Sequence, residues 1–238
     1  MPDLNAPDVS VPLTRVDVAD IAVRLFHAQG YEATSATQIA EASGVSRSTF
    51  FRQFGSKDDV IFADHDELLE QISTYFTTPH ADPWLAVCDA AALVFERFRE
   101  RIDVVRVRDL VVRQSQVLRD RETVMVSRYE KTFAAYIRRM LPNVSPLTAI
   151  RFAAAITATH NFELRRLIRS HEPVGPEELA SELLEVRRLF APTTDTPFAA
   201  LPASDSPRSD LIMAVFPASA SPHEMAQAIE DRLRTIIR

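Results

Sequence analysis

The chain has 238 residues, 46% hydrophobic and 25% charged, the balance of a globular protein with room for one large or two modest domains. No apolar run approaches the roughly 18 residues needed to cross a bilayer, and a single cysteine, Cys88, excludes an internal disulfide. The net charge of −6 does not exclude nucleic acid, because affinity follows where the cations sit and not their total.

Met1 to Leu13 carries Asp3, Asp8 and three prolines, without the basic start and apolar middle of a secretion signal. Together with the lone cysteine this leads us to expect a cytoplasmic protein. The first helix is expected from a Thr14 cap, with Asp17 three residues on, through Val18, Ile21, Ala22, Leu25 and Phe26 to Gly30. Ser35 and Gln38 make a second capping box, opening a helix that turns Ile39 and Ala40 inward and stops at Gly44. Ser46 caps a third helix running to about Phe54. Ser56 with Asp59 opens a longer fourth helix through Val60, Ile61, Leu68, Leu69 and Ile72.

Beyond Pro79 the periodicity is helical throughout, with helices predicted near 82–100, 102–118, 120–141, 146–170 and 176–190. Pro142, Pro146, Pro173 and Pro176 mark two of the breaks. Residues 191–222 hold six of the 15 prolines and read as a linker, in which Leu211 to Phe216 is an apolar run able to dock as an extended segment. A final amphipathic helix, about 222–237, aligns Met225, Ile229, Leu233 and Ile236.

Two short helices joined by a glycine-containing turn and braced by a third make a helix-turn-helix, whose second helix is narrow enough for a major groove. Here that helix begins Ser46-Arg47-Ser48-Thr49, and from Gly44 to Lys57 every charged residue (Arg47, Arg52, Lys57) is positive. Arg47 can donate to guanine or phosphate, while the hydroxyls and the free N-terminal amides suit phosphate oxygens. Lys57 heads the next helix, where it can reach a backbone phosphate. Phe50 and Phe54 are expected to pack the trihelical core.

With these residues in one order, the sequence resembles the TetR family of regulators. The matching stretch is Gly30-Tyr31-Glu32-Ala33-Thr34-Ser35, then Ile39-Ala40, Gly44-Val45-Ser46, Thr49-Phe50-Phe51, Phe54 and Ser56-Lys57, roughly residues 14–62. The resemblance implies a mostly repressing regulator: a homodimer paired through its last two large helices, with a small-molecule pocket among the middle ones, released by that molecule from an inverted-repeat operator in double-stranded DNA. It implies DNA contacts from Thr37, Arg47, Ser48, Thr49 and Gln53, and a phosphate contact from Lys57; the Ser46 hydroxyl is a candidate contact by its place at the helix start. Phe51 stands where the family usually has a tyrosine whose hydroxyl meets a phosphate, and Arg52 is placed to supply that contact instead.

For the pocket, Phe95, Phe98, Met125, Tyr129 and Tyr136 recur near helical spacing, and His160 with Asn161 interrupts an apolar stretch. An ordinary core and satisfied internal polarity are the plainer readings of these residues. The arginine-rich stretch from Arg97 to Arg139 reads first as solvated faces laced with ion pairs, and second as a seat for an anionic effector such as an acyl-coenzyme A.

An enzyme finds no support. There is no HExxH, no GxSxG, no Walker or GxGxxG glycine loop, and one cysteine cannot build a multi-thiolate zinc site. A helical protein-binding adaptor with a degenerate helix-turn-helix is the alternative. The expected fold is all-α: an N-terminal arm and helix-turn-helix DNA-binding domain over 1–60, then an α-helical ligand-binding and dimerisation domain over 61–191. A proline-rich linker and C-terminal amphipathic helix over 192–238 complete it. No cofactor, metal or membrane association is expected.

Overall fold

The computed structural model describes residues 13–169 and 175–191, which lie within one compact unit, Met1–Thr193. The arm over 1–12 and the linker and closing helix expected over 192–238 lie outside the described residues. Within them every regular element is a helix. The head comprises α1 (Arg15–Gln29), α2 (Ala36–Ala42), α3 (Arg47–Phe54) and the single turn α4 (Lys57–Val60). The body comprises α5 (Ala63–Tyr75), α6 (Pro83–Glu100), α7 (Ile102–Gln114), α8 (Gln116–Met140), α9 (Pro146–Arg169) and α10 (Pro176–Phe190).

Side-chain caps start the head helices where the sequence places them. Thr14 and Asp17 exchange hydrogen bonds across the first turn of α1, and Ser35 and Gln38 do the same for α2. Each pair satisfies amides that the helix cannot. Ser46 Oγ accepts from Thr49 N at 3.1 Å to start α3. Between α2 and α3 the chain turns at Gly44, φ +65°, a left-handed backbone that a Cβ would strain. Val18, Ala19, Ala22, Val23 and Phe26 of α1 then close on Ile39, Ala40, Phe50 and Phe54.

The head's apolar cluster does not end at residue 60. It takes in Ile61, Phe62 and Ala63, Val111 and Val112 of α7, and Leu118 of α8. Here the expected fourth helix is broken. Val60, Ile61, Phe62 and Ala63 are all buried, and four successive residues at 100° each leave no face of a continuous helix for solvent. The chain answers with a turn: Phe62 N bonds to Asp59 O at 3.1 Å, and α5 restarts with its own register. A second boundary also moves. Ser115 is extended (φ −120°, ψ 125°) and its hydroxyl accepts from Leu118 N, so α7 stops at Gln114 and α8 begins at Gln116.

The body packs a second cluster, with Trp84, Val87, Phe95 and Phe98 of α6 against Phe133, Tyr136 and Ile137 of α8 and Phe152 and Ile156 of α9. Leu179 and Leu183 of α10 seal it. Leu147, Ile150 and Phe162 of α9 and Leu184 and Leu189 of α10 are exposed.

Phe50, wholly buried in α3, should lose about 3–5 kcal/mol of stability on replacement by alanine. Phe51→Ala, whose ring is 39% exposed, should lose far less. Urea denaturation followed by circular dichroism measures both.

Candidate functional site

Helix α3 presents its polar face outward. Ser46, Arg47, Ser48, Phe51, Arg52 and Gln53 are exposed, and Thr49 and Thr37 are half-buried beside them. The helix carries no acidic residue, and neither Arg47 nor Arg52 is held in an ion pair among the described residues. The Arg47 guanidinium lies over the Phe51 ring, 5.6 Å from its centroid, and Phe51 in turn meets Phe50 edge-on at 5.7 Å. The phenylalanine therefore props the arginine outward from a fixed base. Ser46 is already engaged as a cap, and its hydroxyl also meets Ser48 and Thr49.

Lys57 is less free than its sequence position suggests. Its Nζ donates to Tyr31 O at 3.0 Å and Thr34 O at 3.2 Å, and sits 4.1 Å from the centre of the Tyr31 ring. The Tyr31 hydroxyl donates to Asp58. These contacts clamp the turn after α1 onto the start of α4, and leave one of the three ammonium donors unused.

In the body a cavity of about 90 Å³ lies among α5, α6, α7, α8 and α9. Of the residues expected there, Phe98, Met125, Tyr129, His160 and Asn161 line it. Phe95 and Tyr136 do not. Phe95 is packed behind the wall with its ring 6.0 Å from that of His160, and Tyr136 stacks on Phe76 at 4.0 Å elsewhere in the core. The sequence reading missed His65, Arg108 and Phe133, which do line the cavity. Arg108 left a signal: it stands on the apolar stripe of α7 between Val105 and Val112, where a lone cation must find a buried partner. His65 left none, because the break before α5 sets which way it faces.

The electrostatics follow from burial. Burial pushes both His65 and His160 down to about 4, so both rings are neutral at pH 7. Burial alone would raise Asp64, but the Arg108 guanidinium outweighs it and holds the carboxyl below its usual value. Arg108 Nη1 donates to both Asp64 oxygens, at 2.8 and 2.6 Å.

The comparisons with known proteins agree on the head. Residues 19–63 match the family of bacterial regulatory proteins, tetR family. By its head, residues 19–63, this chain is similar to the TetR family. Over 47 residues it is 53% identical to the transcriptional regulator TcmR of Streptomyces glaucescens, a match covering 20% of this chain and 21% of that one. Over 126 residues it is 29% identical to a protein of Mycobacterium tuberculosis provisionally described as the mycofactocin biosynthesis regulator MftR, covering 51% and 63%. The chain thus spans less than two thirds of the curated relatives it matches. In fold it is similar to Bacillus subtilis FadR, solved with stearoyl-CoA (TM-score 0.53, 16% identity, 73% of this chain and 97% of that one).

The cavity is wired to the head. Asp64 also accepts from Arg101 at 3.4 Å, and Arg101 reaches on to Asp20 of α1. A wall residue of the cavity, Arg108, is therefore two carboxylates and one arginine away from the helix that braces α3. Two further ion pairs tie α8 to the elements around the break before α5: Asp66 of α5 to Arg128, and Asp59 of α4 to Arg121.

Removing one partner of the buried pair should be costly, with Asp64→Ala losing about 3–5 kcal/mol by leaving Arg108 uncompensated. Adding Arg108→Met should recover part of that loss, and urea midpoints for the three proteins decide it. The two histidines set a pH dependence. The unfolded chain binds their protons near 6.5 and the folded chain only near 4, so their contribution is complete above pH 6.5 and is lost as pH falls towards 4. Denaturation midpoints between pH 7.5 and 4.5 should fall accordingly, and more shallowly in His160→Gln.

Proposed function

We propose that the protein is a DNA-binding transcriptional regulator, acting in the cytoplasm as a homodimer, whose hold on an inverted-repeat operator changes when a small molecule enters the body cavity. The observation that carries this reading is α3: an exposed helix after a tight turn, with Arg47 and Arg52 free of ion pairs among the described residues and no acidic residue in the helix to repel phosphate. Arg47 would read a guanine edge, and Gln53 would meet a base edge further along. Thr37, Ser48, Thr49, Arg52 and the remaining Lys57 donor would hold phosphates, while Phe51 would give apolar contact with sugars.

The dimer we assign to the outward face of α9 and α10. Leu147, Ile150, Phe162, Leu184 and Leu189 put more apolar surface there than scattered exposure explains, and a second copy of the same face would cover it. Two α3 helices about 34 Å apart would then meet successive major grooves. An effector acts only by binding one arrangement of the two heads better than another. The route we assign runs from Arg108 through Asp64 and Arg101 to Asp20, since it joins the cavity wall to α1 without a gap. No catalytic step enters this reading.

Selection of bound sequences from random duplex DNA by the purified protein should return an inverted repeat, and no enrichment at low ionic strength would refute the proposal. Arg47→Ala should lose about 1–3 kcal/mol on the selected site and relax the preference at one position. Lys57→Ala should weaken all duplexes alike and reduce the salt slope by about one unit. Phe162→Glu should give a monomer in analytical ultracentrifugation that is still folded by circular dichroism.

A further inference from the structure

The reading of the cavity as an effector site can be taken further, because one buried atom specifies what the effector must offer. His160 is only 7% exposed, and its Nε2 is shielded from solvent with no hydrogen-bond partner in the protein. Its other ring nitrogen, Nδ1, faces Asn161 Oδ1 at 3.3 Å. A carbonyl oxygen only accepts, so Nδ1 carries the ring proton and Nε2 is left as an acceptor. Burial keeps the ring neutral, since its pKa is pushed down to about 4. The edge-on rings of Phe95 and Phe98 hold the imidazole in place. Thr157, nearby on the same helix, cannot supply the missing proton, because its hydroxyl donates to Ala153 O at 2.9 Å.

The charge around this atom is balanced or negative. Arg108 is the one cation lining the cavity among the described residues, and Asp64 neutralises it. Asp109 is paired with Arg113 at 2.5 Å, and burial raises Glu122 at the rim. Several other arginines of the Arg97–Arg139 stretch are turned to carboxylates: Arg97 to Glu100, Arg99 to Glu96, Arg121 to Asp59 and Arg128 to Asp66, while Arg106 donates to the Leu167 and Ile168 carbonyls. An anionic head would find the lining cation, Arg108, already compensated. Size adds a limit. A cavity of about 90 Å³ is of the same order as the roughly 150 Å³ that admits benzene to an apolar core, so a single ring, seated with a small outward shift of the walls, sets the upper size.

We infer that the cavity takes an uncharged molecule of about one ring, whose apolar body lies against Phe98 and Phe133 and whose hydroxyl or N–H donates to His160 Nε2. The class is that of phenols, small alcohols and neutral amides, and the inference rests on the cavity being the effector site. Its selectivity comes from the buried acceptor. A ligand lacking a donor leaves that atom unpaired, whereas one with a donor satisfies it.

Four single-ring probes separate the possibilities by calorimetry on the full chain without DNA: phenol (donor), toluene (neither), benzaldehyde (acceptor only) and benzoate (anion). Phenol should bind about tenfold more tightly than toluene or benzaldehyde, with benzoate weakest. His160→Leu should abolish phenol's advantage over toluene, and His160→Gln, whose Oε1 can accept, should keep it. If either variant fails to fold, the wild-type chain with ¹⁵N-labelled histidine still decides, because phenol should move the Nε2 resonance of His160 and leave Nδ1 in place. Equal binding of phenol and toluene, a preference for benzaldehyde or benzoate, an unmoved Nε2, or no binding of any probe overturns the inference. The DNA selection uses no ligand, so phenol binding with no enriched operator would sink the regulator reading alone, and an operator with no phenol selectivity would sink only this one.

Discussion

The Asp64 carboxylate is buried between the guanidinium groups of Arg108 and Arg101, and the relation of head to body depends on that arrangement. Neither charge could remain in an apolar interior alone. The pair is consequently a constraint as much as a source of stability: α5, α7 and the turn before α7 must stay where the three groups meet. Because Arg101 extends to Asp20, the constraint passes into α1, and because Arg108 lines the cavity, it is exposed to whatever enters there. A structure in which the cavity wall and the helix that braces α3 share one ionic chain has a physical means of coupling them.

The head itself depends on local chemistry. Thr14, Ser35, Ser46 and Ser56 each satisfy an orphan amide at a helix start, and Gly44 allows the sharp turn between α2 and α3. These devices act over three or four residues, which lets so short an assembly hold its shape. Its apolar centre is nonetheless shared with the body through Val111, Val112 and Leu118, so the head is not an independent bead on a linker. Motion in α7 is felt in the packing beneath α1.

The cavity is built on a different principle. Its walls are apolar, its two histidines are neutral, and its single cation is already compensated. This sets it apart from the surface of α3, where the exposed charges, Arg47 and Arg52, are both positive.

How much of this was legible beforehand divides along the range of the interactions. Caps, glycine turns and the 3.6-residue repeat are local, so the order of the helices, the polar face of α3 and the inward turn of Phe50 and Phe54 could be read from the chain. The sequence also flagged Phe98, Met125, Tyr129, His160 and Asn161 as cavity residues. It did not separate them from Phe95 and Tyr136, since a helical period says which residues face inward but not which part of the interior they meet. The break at Ile61–Phe62, the boundary at Ser115, the inward aim of His65 and the partnership of Asp64 with Arg108 were decided only by the tertiary structure. Each depends on a neighbour dozens of residues away or on packing from several sides at once, and no local pattern records which distant helix will supply the apolar surface or the opposite charge.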